Sequence, residues 1–457
     1  MRRGRKLAVG VAAGALVLTA AGCGTQSTGG KTKIVVWTQQ ADPVGMAAQQ
    51  KVINWIEKQM PNVTIELDRK PGVAAGDNTQ LITAVRGNVA PDLMLTDRFG
   101  VIQQAALGML KSLTPYIKKD EAAGKGNVTK KYLPFAVGEG AWKGQNYALP
   151  YDTDDRALVY NKEVLQKAGV DISKLDPKNG PITISELQAM AAKVDKKDSH
   201  GNYTQVGIVP WWGQGEPATW MMGFGAKFFD NKTCRVTATE PAAVKAYTLL
   251  DNWVSKLNYT KLQAFLAAYA PPNAPPTISP IYQNRFGFEI TGNWDMANFK
   301  NYAPKMKYGV TYLPVEKKGQ PPSTWAGGFA LTMPKGTKGN HGQLAWEVMK
   351  LYDSAYGQKV FMTATSHLPT YTALLKDPQV IKGQEFFAKQ LSFARSRVPL
   401  PIGAFLWNDQ ETEQDAVLLG KHTPMQAAET IQKQTDSMLK MYCPFKAVFA
   451  KPAGAVN

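Results

Sequence analysis

Histidine and cysteine are scarce in this sequence, with four His and three Cys in 457 residues. His200, His341, His367 and His422 are scattered without the spacing of metal ligands, so no zinc site is expected. No Ser-His-Asp or Cys-His arrangement stands out, and Gly213-Gln214-Gly215 lacks the spacing of a dinucleotide fingerprint. These absences argue against an enzyme and against a bound cofactor. Beyond the first two dozen residues no apolar run approaches the roughly 20 residues a membrane helix needs. Internal repeats are missing too.

What the chain does have begins with an address. Residues 1–6 include Arg2, Arg3, Arg5 and Lys6, and residues 7–18 are an unbroken small and apolar run. A basic start followed by a short apolar stretch reads as a secretory signal over 1–22. It ends in Thr19-Ala20-Ala21-Gly22-Cys23, which resembles a bacterial lipobox, and 23–32 follows as a polar tether. The expectation is cleavage before Cys23, diacylation of its sulfur and anchoring at the extracytoplasmic face of the cell membrane. Removing the four basic residues lowers the formal charge from +17 to +13. For an exported chain this balance points to an anionic wall or membrane surface, or simply to a basic exterior, and not to nucleic acid. Cys234 and Cys443 then remain as an even pair in an oxidising compartment, and a disulfide between them is expected.

The mature length exceeds what one hydrophobic core holds, so two lobes are expected. Residues 33–37 have strand length, 44–60 carries apolar residues at helical spacing until Pro61, and 63–67 alternates. Residues 78–88 read as helix and 92–96 as strand. This βαβαβ rhythm predicts an α/β fold with mostly parallel sheets and helices on both faces, whose ligands collect beyond the carboxyl ends of strands. Farther on, Gly144-Gln145-Asn146 predicts a hairpin turn, 183–193 and 241–257 read as helices, and 195–202 as a polar loop. Residues 270–280 hold five prolines and read as a rim or surface loop.

Carboxylates stand beside aromatics where these strands should end. Asp97-Arg98 follows 93–96; Asp152, Asp154 and Asp155 follow 148–151; Trp211, Trp212, Glu216 and Trp220 follow 206–210. Trp294 follows 288–293, Trp325 precedes Gly327-Gly328, and Trp407 lies near Asn408 and Asp409. Carbohydrate recognition needs this mixture, because aromatic faces cover the C–H faces of a pyranose while carboxylates and guanidinium groups take its hydroxyls. Paired carboxylates beside tryptophan also suit a secreted glycoside hydrolase, with Asp154 and Glu216 as the pair.

At these residues the sequence resembles the maltose and maltodextrin-binding proteins, the solute-binding subunits of ABC sugar importers. Pro91-Asp92, Asp97-Arg98-Phe99-Gly100, Gly108-Met109-Leu110, Glu216-Pro217, Gly292-Asn293-Trp294 and Leu313-Pro314 match that family's motifs in order. The resemblance implies two lobes joined by three crossings, near 153–156, 310–314 and 362–366, with one lobe over 33–153 and 315–362 and the other over 154–312 and 363–450. It implies sugar contacts by Asp97, Arg98, Asp154 and Glu216 and stacking by Trp294 and Trp407. Gln39 and Gln40 depart from the charged ligand residues of the family. The function so implied is capture of a sugar, an oligosaccharide above all, by hinge closure of a monomer and its delivery to a membrane permease.

Overall fold

A computed structural model describes residues 30–40, 42–70, 78–271, 274–275, 277–337 and 341–448. Cys23 and the expected signal and tether up to residue 29 lie outside the described residues. Two sheets organise the chain. In the first, strand Thr32–Thr38 pairs in parallel with Val63–Arg69 and with Leu93–Asp97. Helices Pro43–Gln59 and Thr79–Arg86 make the two crossovers. The longer one starts where Asp42 caps it, the Gly45 N–H donating to Asp42 Oδ1 at 2.8 Å, and Pro43 occupies its first turn. Its apolar stripe, including Val52, Ile53 and Ile56, is buried with Ile34, Val36 and Leu95 of the sheet. Strands Phe329–Thr332 and Ala148–Pro150 complete this sheet in antiparallel register.

The second sheet is built around one ten-residue strand, Asp152–Asn161, every residue of which is buried. Phe288–Gly292, Tyr308–Thr311, Trp325–Gly327 and Leu368–Pro369 all pair with it antiparallel. Arg395–Ser396 runs parallel to Trp325–Gly327. Parallel pairing is thus concentrated in the first sheet, where helical crossovers join the strands; in the second, turns and long returns bring strands back against one central strand. Helix Ile184–Val194 carries a capping box between Thr183 and Glu186. The polar stretch at 195–202 is not all loop, since Lys196–Lys197 and Tyr203–Gln205 form a small hairpin.

The chain passes between the sheets at Tyr151, at Gly328 and near Ser366. The second passage differs from the expected 310–314, because Tyr308–Thr311 and Trp325–Gly327 both pair with the central strand of the second sheet. The division at 312–315 is therefore replaced by one at Gly328. Only glycine fits there: its φ is +128°, and a Cβ would lie 2.4 Å from the Asp152 carbonyl oxygen. Beyond the third passage, Tyr371 and Val380 return to the first core before Phe387 joins the second, so 363–450 is shared between lobes. Cys234 and Cys443 are joined in a disulfide. It holds the C-terminal segment where Phe445 packs on Phe229 and Trp142. Among the described residues no helix is long and apolar enough to cross a membrane.

Candidate functional site

Where the crossings meet, a cavity of about 300 Å³ opens, at the small end of the range for ligand pockets. The first sheet and its helix supply Gln40, Asp42, Asp97 and Phe329 to its wall; the second sheet and its loops supply Asp154, Arg156, Gln214, Trp294 and Arg397. His367 enters from the third crossing.

Asp97 is the last residue of its strand, and its Oδ1 accepts from the Phe99 N–H at 2.9 Å, which starts the next turn. From the other sheet, Arg397 Nη2 donates to Asp97 Oδ1 at 2.6 Å and Nη1 to Oδ2 at 3.3 Å. The Arg397 guanidinium lies 4.4 Å from the Phe99 ring centre and 5.3 Å from that of Trp325. Arg156 is held the same way. Its Nη1 pairs with Asp154 Oδ1, its Nε donates to Gln214 Oε1 at 2.9 Å, and it lies 3.3 Å from the Trp325 ring centre. Burial alone would raise the Asp154 pKa, but Arg156, His367 and Arg397 together bring it below the usual carboxylate value.

Trp294 ends the turn between strand Phe288–Gly292 and helix Asp295–Tyr302, half-buried on the cavity wall. Its indole folds over Gly292, where a Cβ would stand 2.0 Å from the ring. Arg156 lies 5.0 Å and the His367 ring 6.3 Å from it. His367 Nδ1 is 2.8 Å from Asp152 Oδ2, and its Nε2 is 3.2 Å from Gln40 Nε2. Burial opposes the charged imidazole, yet Asp152 and Asp154 outweigh it and raise the His367 pKa.

Three of the six expected ligand residues stand elsewhere. Arg98 is fully buried: Nε donates to Glu139 Oε2 at 2.5 Å, Nη1 to the Asp152 carbonyl at 2.6 Å, and Nη2 to the Gly327 carbonyl. It ties two crossings together and is not among the residues that line the cavity. Glu216 precedes helix Pro217–Gly223 and has a buried Oε2 without a hydrogen-bond partner. Burial pushes its pKa up to about 7 despite Arg156, with Glu411 adding to the rise. Trp407, on helix Gly403–Leu418, sits edge-on to Phe99 and Trp325 and donates its indole N–H to Glu411 Oε1 at 2.9 Å. Neither lines this cavity, although both are half-buried, as Trp294 is.

The sequence reading missed Asp42, Arg156, Gln214, His367 and Arg397 as wall residues. Arg156 alone carried a local signal, standing directly after the Asp154-Asp155 pair. Arg397 comes from a segment with no aromatic or strand pattern that marked it.

Comparison with known proteins agrees with this architecture. A maltotriose-binding protein of Pyrococcus abyssi is 22% identical over 420 residues, covering 90% of this chain and 83% of its own. An sn-glycerol-3-phosphate-binding periplasmic protein of Salmonella paratyphi A is 24% identical over 391 residues, covering 79% and 82%. A solved structure of the protein CpMnBP1 with mannotriose bound superposes with a TM-score of 0.75 at 24% identity, covering 89% of this chain and all of that one. The model of the bacterial extracellular solute-binding protein family matches residues 39–359, most of the chain, and the chain belongs to that family.

Proposed function

We propose that the chain is the lipid-anchored, sugar-capturing subunit of an ABC importer, which closes on an oligosaccharide and presents it to a membrane permease. The observation that carries this reading is the half-buried Trp294 indole sharing one cavity with Asp97 and Asp154, carboxylates placed by different sheets. A flat aromatic face beside carboxylates suits a pyranose. A sugar touching both sheets at once favours the closed arrangement, which is the differential affinity that hinge motion requires. The three crossings at Tyr151, Gly328 and Ser366 supply the hinge. The maltotriose-binding relative and the neighbour with bound mannotriose support an oligosaccharide of a few units.

The hydrolase reading has less support. Glu216 lies off the wall, and Asp154 Oδ1 is occupied by the Gly327 N–H and Arg156. A thermal-shift screen over mono- and oligosaccharides tests the proposal. A ligand at 100 times its Kd raises stability by about 2.7 kcal/mol. If no saccharide shifts the melting temperature, or if a chromogenic glycoside is turned over, the reading fails.

A further inference from the structure

Every cation on the cavity wall already has a carboxylate. Among the described residues, the positively charged or protonatable side chains lining the cavity are Arg156, His367 and Arg397. Arg156 pairs with Asp154, Arg397 with Asp97 across the two sheets, and His367 with Asp152 behind the wall. Asp42 remains besides, its Oδ1 accepting from the Gly45 N–H at 2.8 Å. Four carboxyl groups therefore face three cationic side chains at this site.

We propose that the cavity selects an uncharged, polyhydroxylated ligand and rejects phosphorylated or uronic sugars, with the Asp97–Arg397 pair as the determinant. The inference rests on the sugar-capturing reading and narrows it. An anionic group entering the cavity finds no uncompensated cation and lies close to Asp97 and Asp154, where like-charge repulsion is weakly screened. A hydroxyl meets a matched pair. It donates to the partly exposed Asp97 carboxylate, whose side chain is 38% accessible and which Arg397 holds in place from the other sheet. Guanidinium groups in this wall serve as fixed hydrogen-bond donors, their charge neutralised in advance. The relative that binds sn-glycerol 3-phosphate makes the distinction a real one within the family.

Titration calorimetry on the purified chain decides it, using maltotriose, mannobiose and a wider panel of neutral saccharides against sn-glycerol 3-phosphate and glucuronic acid. The wild type should bind a neutral saccharide and neither anion. Asp97→Asn keeps an oxygen for the Phe99 N–H but removes the carboxylate hydrogen-bonded to Arg397, leaving only the more distant Glu139 and Asp154 to offset its charge. It should weaken the neutral saccharide about tenfold and strengthen the anions by about the same factor. A wild-type protein that binds an anion more tightly than any neutral saccharide overturns the proposal while leaving solute capture intact. Unchanged anion discrimination in a folded Asp97→Asn protein removes Asp97 as the determinant. If neither class binds the wild type, the sugar-capturing reading falls, and this inference with it.

Discussion

The cavity wall and its surroundings are made of the same kinds of residue, and they differ in how their side chains are held. Asp97, Asp154 and Trp294 line the cavity; Arg98 is fully buried, and the half-buried Glu216 and Trp407 lie outside its lining. Adjacent residues illustrate the divide. Asp97 closes a strand and keeps part of its carboxylate accessible, whereas Arg98 begins the following turn and spends its donors on Glu139 and on two carbonyls of the crossings. The comparison teaches that acid-aromatic clustering at strand ends marks a region wider than the cavity lining. Which residues line the cavity depends on the turn after the strand.

Substitution of the fully buried Arg98 should act on folding, and the largest effect is expected there. Arg98→Ala strands the buried Glu139 carboxylate and frees the Asp152 and Gly327 carbonyls, for a loss of about 3–5 kcal/mol in stability. Urea unfolding measures it. A mild effect on stability together with lost sugar binding would move Arg98 back into the site.

Trp294 in the wall should show the opposite pattern. Trp294→Ala is expected to cost about 2 kcal/mol in binding, hence roughly 30-fold in affinity, with little change in melting temperature. Calorimetry and thermal unfolding on the same sample separate the two quantities. Normal affinity in the folded variant would place the indole outside the binding surface.

A third effect is a slope with pH, from Glu216. Its pKa in the folded chain is about 7, above the ordinary value of 4.5, so folding favours its protonated form. The associated stabilisation is complete below about 4.5 and disappears as the pH rises through about 7. Glu216→Gln removes that slope. The variant should match the wild type at the acid end and gain on it steadily up to neutral pH. Parallel melting curves across the range would show that Glu216 titrates normally and is solvated.

The βαβαβ start of the first sheet was readable because each element there declares itself locally. The apolar spacing of 44–60 matches helix Pro43–Gln59, and the alternation of 63–67 matches strand Val63–Arg69. Asp97 and Trp294 were readable for a related reason, since each follows a strand whose end is visible in the residue pattern. That Arg98, Glu216 and Trp407 lie outside the cavity lining was not readable, because composition reports proximity to a strand end and says nothing of the direction in which the next turn sends a side chain.

The sequence by itself determined the two-lobed α/β plan, the helices over 44–60 and 183–193, and the candidate strand ends. Only the tertiary structure decided the second crossing at Gly328 and the second wall of the cavity. Arg397 reaches Asp97 across 300 residues of chain, and Gln214 reaches Arg156 across 58. Periodicity records how a segment meets its own neighbours within a turn or a pleat. A wall assembled from strands that pair around Asp152–Asn161 records contacts between distant segments, and no local spacing carries them.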